Sequence, residues 1–119
     1  MNSERDYLTN MTLAIDFDHT LADTAHPVEG RRMGPPMPGA AEAMRLLKAA
    51  NHNLIIHSCN RTKVIRDWMA YYNIPFDSIW GESPADNGHK PVASIYLDDR
   101  GIRFTSWAQA LTDIEGYFD

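Results

Sequence analysis

The chain has 119 residues, 44% of them hydrophobic and 23% charged, the size and balance of one ordinary globular domain rather than a disordered, fibrous or membrane-embedded chain. Eleven Lys and Arg against sixteen Asp and Glu leave a net charge of −5, which speaks against a broad basic face for nucleic acid. Cys59 is the only cysteine, so an intrachain disulfide is excluded, and with no apolar signal segment after Met1 and no apolar run near the roughly 20 residues of a membrane helix, a cytoplasmic protein is expected.

After a polar start over residues 1–10, Met11 to Ile15 is apolar and stops at Asp16-Phe17-Asp18, which predicts a strand buried on both faces. Residues 22–38 hold four of the seven prolines together with Gly30 and Gly34, and read as a loop. From Gly39 onward, Ala40, Ala43, Met44 and Leu47 recur at helical spacing, with Asn51 as the stop. Asn53 to Ser58 is a second strand. A helix follows, with Val64, Ile65, Trp68, Met69 and Tyr72 on one stripe, closed by Asn73 and Pro75.

Ser78-Ile79-Trp80 predicts a very short strand, and Glu82 to Pro91 a loop. Val92 to Leu97 is the next strand, ending in Asp98-Asp99, and Ser106 is placed to cap a last helix through Trp107, Ala110, Leu111 and Ile114. Strands alternating with helices imply right-handed βαβ units and a parallel sheet. Ligands of such sheets sit at the carboxyl ends of the strands.

Three strands would then end in Asp16 and Asp18, in Ser58, and in Asp98 and Asp99, with Lys90 just ahead of the last strand. Two carboxylates about 4 Å apart repel by about 4 kcal/mol at the effective dielectric of a protein surface. A hard divalent cation relieves that repulsion, and oxygen-only ligands at an open rim suit Mg²⁺ shared with a phosphate. Lys90 can hold the same phosphate from the other side.

Asp16-Phe17-Asp18-His19-Thr20 resembles the DxDxT motif of the haloacid-dehalogenase-like (HAD) superfamily. Ser58 is similar to the hydroxyl of that family's second motif, Lys90 to the lysine of the third, and Asp98-Asp99 to the acid pair of the fourth; the four occur in order between residues 16 and 99. The intervals between them leave no room for an inserted cap, and Pro38-Gly39-Ala40 and Asp98-Asp99-Arg100 resemble the small capless members.

The resemblance implies a three-layer Rossmann-like α/β fold, a parallel sheet flanked by helices without a cap domain, and a Mg²⁺-dependent phosphatase. It makes Asp16 the nucleophile, Asp18 the acid and base, and Thr20 the residue orienting Asp18. Ser58 and Lys90, with Cys59, Asn60 and Arg61 of the same loop, would bind the phosphoryl group of a phosphorylated substrate. Asp16, the Asp18 carbonyl and Asp98, with Asp99 close by, would hold the metal. His19 stands where glycine is common, and a positive φ there would cost about 1 kcal/mol.

Other readings attach to some of these residues. Cys59 is followed by Arg66, one position too late for a tyrosine-phosphatase loop, and reads as a small buried hydrophobe. Arg61 reads equally as a solvent-facing residue at a helix start. His26, His52, His57 and His89 show no metal-ligand spacing, and of these four only His57 and His89 adjoin motif residues. A receiver-type phosphoacceptor would place an acid where Ser58 stands, and a non-catalytic phosphate-binding module would need none of the acids. An open site calls for a large substrate or a wall from a second copy of the chain, and a nucleic-acid end held by Arg31, Arg32 and Arg61 is a further candidate substrate.

Overall fold

The apolar runs form a parallel sheet in the computed structural model, which describes residues 11–23, 34–86, 91, 93–97 and 104–117. Strand β1 is Thr12–Asp16, β2 Asn53–His57, β3 Ser78–Ile79 and β4 Ile95–Leu97. Their order is β3-β2-β1-β4, and every neighbouring pair is parallel. β1 therefore lies inside the sheet, with β2 on one side and β4 on the other. The register sets Asp16 opposite His57 and Ile15 opposite Leu97.

Helix α1, Ala40–Ala49, connects β1 to β2, and α2, Thr62–Tyr71, connects β2 to β3. Both crossovers step the same way along the sheet, so right-handed connections put both helices on one face. That face carries Leu13, Ile15, Leu54, Ile56, Ile79, Ile95 and Leu97, which form one continuous core with Ala43, Met44, Ile65 and Met69 from the two helices. Helix α3, Trp107–Tyr117, joins the same core through Trp107, Ala110 and Ile114 and packs beside α1. The parallel α/β sheet with flanking helices expected from the sequence is thus present. Among the described residues, no helix is long and apolar enough to cross a membrane.

Element ends follow local chemistry. Asn51 and Asn73 take positive φ, 67° and 54°, just past α1 and α2, the left-handed exit that asparagine tolerates better than most residues. Ser106 caps α3, its Oγ accepting the Gln109 N–H at 3.1 Å. Gly39 precedes α1 at φ 81°, and a Cβ there would stand 3.4 Å from the Trp107 Cβ. The backbone angle is what favours glycine at this helix start, since a Cβ would meet Trp107 at ordinary contact distance.

β4 is shorter than the predicted run from Val92, with Ala93 and Ser94 outside it and Val92 outside the described residues. Within the predicted Glu82 to Pro91 loop, Pro84–Asp86 makes one 3-10 turn. Trp68, Met69 and Trp107 are core, while Tyr72 is half-buried against it.

Candidate functional site

At the carboxyl end of β1 the chain leaves the sheet through a tight turn. Phe17 is fully buried, and its carbonyl accepts the N–H groups of Thr20, Leu21 and Ala22 at 3.4, 3.0 and 3.0 Å. The His19 N–H donates to the Ala22 carbonyl at 2.9 Å, and the His19 backbone sits at φ 61°. The positive angle anticipated at this position is therefore present, and an exposed histidine adopts it.

The turn is fastened from the core. The Phe17 ring meets Trp68 of α2 edge-on, 5.0 Å between centroids, and the Trp107 indole of α3 donates to the Thr20 carbonyl at 2.8 Å. Returning chain pairs against it: Met37 N–H donates to Leu21 O, Asp23 N–H to Pro35 O, and the buried Trp68 indole to Gly34 O at 3.0 Å.

Around this turn stand the polar side chains. Asp16 is half-buried, with Oδ1 accepting the Phe17 N–H at 2.9 Å. The Phe17 N–H also reaches the His57 carbonyl at 3.2 Å, which keeps the ends of β1 and β2 in step. Ser58 and Asn60, just beyond β2, both face Asp18. The Ser58 hydroxyl donates to Asp18 Oδ2 at 3.0 Å, and the Asn60 amide Nδ2 donates to Oδ1 at 2.9 Å and to Oδ2 at 3.1 Å. Asn60 also sends its backbone N–H to Ser58 Oγ at 3.0 Å. Two strand ends from positions some forty residues apart are thereby tied into one polar cluster.

Several expected roles change under this geometry. Thr20 is buried inside the turn, and the bonds to the Asp18 carboxylate come from Ser58 and Asn60. Cys59 is exposed, not buried as expected; Ser58 and Asn60 turn inward on either side of it, and the bend between them leaves the thiol facing water. Arg61 is exposed and extended at φ −62°, ψ 135°, immediately before α2. His57 ends β2 opposite Asp16 and is half-buried.

Lys90, Asp98, Asp99, Arg100, Arg31, Arg32 and His89 lie outside the described residues. Leu97, which directly precedes Asp98 in the sequence, pairs with Ile15, the residue directly before Asp16. Among the described residues, no group of three or more His, Cys, Asp and Glu side chains could hold a metal ion. Asp16 and Asp18, two residues apart at the end of β1, offer oxygen donors alone, the ligand type of Mg²⁺ rather than of zinc or copper.

A separate groove of about 330 Å³, lined by Arg45, Arg66, Met69, Asn73 and Phe76 among others, lies at the C-terminal end of α2 and hence at the opposite sheet edge. Its cations are already engaged. Arg45 donates to the Asn73 carbonyl, while Arg66 stacks over Phe76 and forks onto Glu82. The hydrogen bond from Arg66 holds the Glu82 carboxyl below its usual range.

No family model matches the chain, and no curated relative matches it. Two solved structures do. A conserved protein from Bacteroides thetaiotaomicron is 26% identical with a TM-score of 0.71, the match covering 92% of this chain and 93% of that one. A crystal structure of a protein from Vibrio cholerae is 20% identical with a TM-score of 0.58, over 91% and 96% of the two chains. The second likeness is one of fold.

Proposed function

We propose that the protein is a Mg²⁺-dependent phosphomonoester hydrolase of the HAD type, working through a phosphoaspartyl intermediate. The observation that carries this reading is the cluster at one sheet edge, in which Asp18, two residues past the end of β1, is bound by the hydroxyl of Ser58 from the end of β2. Residues of the first and second HAD-like motifs meet there.

In this reading an Asp16 carboxylate oxygen attacks phosphorus in line with the ester oxygen. Asp18 hands a proton to that oxygen as the ester bond breaks. It then takes a proton from the water that cleaves the acyl phosphate and regenerates Asp16. Splitting one displacement into two lets a single carboxylate serve first as acid and then as base. Ser58, the backbone amides beside it and Lys90 bind the phosphoryl oxygens. Asp16, the Asp18 carbonyl and Asp98, with Asp99 adjacent, would hold Mg²⁺, which when bound neutralises charge on the transferring group.

The phosphorylated substrate of a capless site covers the mouth itself or borrows a wall from a second copy of the chain. Purified protein with Mg²⁺ is expected to hydrolyse an aryl phosphate, to lose that activity to a chelator, and to lose it in Asp16→Asn. Turnover that survives Asp16→Asn would overturn the assignment. A phosphoprotein stable for hours would favour a receiver-like phosphoacceptor instead.

A further inference from the structure

We infer that Asn60 is the positioning residue for the Asp18 carboxylate, holding it in place when Ser58 turns to the phosphoryl group. The inference rests on the proposed roles of Asp18 and Ser58 and extends them to a residue that the DxDxT resemblance does not mark as acting on Asp18. Its basis is the bond pattern. One amide nitrogen lies 2.9 and 3.1 Å from the two oxygens of a single carboxylate and 3.1 Å from Ser58 Oγ. The backbone N–H of the same residue lies 3.0 Å from that hydroxyl.

The directions of these bonds are fixed by chemistry. A carboxylate only accepts, so the amide must present nitrogen rather than oxygen to Asp18. Asn60 also donates to Ser58 Oγ from its backbone, which leaves the single hydroxyl hydrogen of Ser58 for Asp18 Oδ2. That hydrogen can serve one acceptor at a time. When a phosphoryl oxygen takes it, Asp18 keeps the amide of Asn60 alone among the donors described. A donor that reaches both oxygens fixes the plane of the carboxylate, and with it the direction from which a proton is delivered.

The consequence is confined to the proton-transfer step. As the Asp16 oxygen forms its bond to phosphorus and the ester bond breaks, the leaving oxygen gains the proton that Asp18 loses. A leaving group as basic as a phenol, with a pKa of about 10, depends on that proton. The more acidic 4-nitrophenol depends on it far less. Misplacing Asp18 must therefore penalise the two esters unequally, whereas weaker phosphate binding or looser packing penalises them alike.

The test compares kcat/KM for phenyl phosphate and 4-nitrophenyl phosphate, since this ratio reports the steps through phosphoenzyme formation. In Asn60→Ala the phenyl-to-nitrophenyl ratio is expected to fall about tenfold or more, a part of the roughly 100-fold to 10,000-fold that general acid catalysis contributes as a whole. Asn60→Leu, close in size to asparagine but without a donor, should give a comparable fall and guards against a folding defect peculiar to the alanine variant. In an Asp18→Asn background either change should alter the ratio less than twofold. An unchanged ratio in an active variant, or full additivity with Asp18→Asn, overturns the role of Asn60 and leaves the hydrolase reading standing. Wild-type protein inactive on both esters overturns both.

Discussion

Trp107 donates its indole N–H to the carbonyl of Thr20 at 2.8 Å, across 87 residues of chain. Trp68 makes the matching bond to Gly34 at 3.0 Å and backs Phe17 edge-on. Two buried indoles thus fasten the turn that carries Asp18 and the chain that returns beside it. Position in the site is set from the hydrophobic core: Thr20 and Gly34 are both buried, so a carbonyl that lost its indole donor would be left unsatisfied.

Trp107→Phe keeps an aromatic ring and removes the donor. Leaving the Thr20 carbonyl buried without it should cost about 1–3 kcal/mol of stability, read as a lowered urea midpoint with an unchanged slope. Phosphatase activity should fall further than the fraction unfolded accounts for, since the turn holding Asp18 loosens. An unchanged midpoint would contradict the role given to this bond.

His19 occupies φ 61° on an exposed turn. A β-branched side chain is poorly tolerated there, so His19→Val should be less stable than the wild type by about 1–2 kcal/mol and less stable than His19→Gly, whose backbone takes this angle without strain. Thermal melts of the three proteins order them directly. A valine variant as stable as wild type would contradict the backbone assignment.

His52 is buried at the opposite edge of the sheet, with its Nδ1 accepting the Met11 N–H at 3.3 Å. Burial, with the charge of nearby Lys48 adding to it, holds its pKa below the usual 6.5. The unfolded chain therefore binds this proton first as pH drops. The contribution of neutral His52 is fully present above pH about 6.5 and declines as pH falls below that value, until the folded imidazole protonates in turn. His52→Asn, which keeps an acceptor without a titrating ring, should show a smaller loss of urea midpoint between pH 7.5 and pH 5. An equal loss in both proteins would contradict it.

Much of this architecture is written locally. Ile15 before Asp16 and Leu97 before Asp98 mark strands ending in acids, and Asn51, Asn73 and Ser106 mark helix ends by side-chain chemistry that acts within a few residues. The left-handed angle at His19 was legible as a question because glycine is common at that place. What could not be read is what depends on distant chain. The inward turn of Ser58 and Asn60, which leaves Cys59 exposed, brings both onto Asp18, 40 and 42 residues earlier. The two tryptophans read simply as apolar. Nothing in helical spacing says which carbonyl an indole N–H will find.

The most direct measurement is chemical trapping of the enzyme in turnover. Protein mixed with Mg²⁺ and a phosphorus-labelled aryl phosphate, quenched in acid and digested, should carry label that hydroxylamine removes on the peptide containing Asp16, and none in Asp16→Asn. Rapid hydrolysis with label on another residue, or undiminished hydrolysis by Asp16→Asn, would contradict a phosphoaspartyl enzyme built on the end of β1.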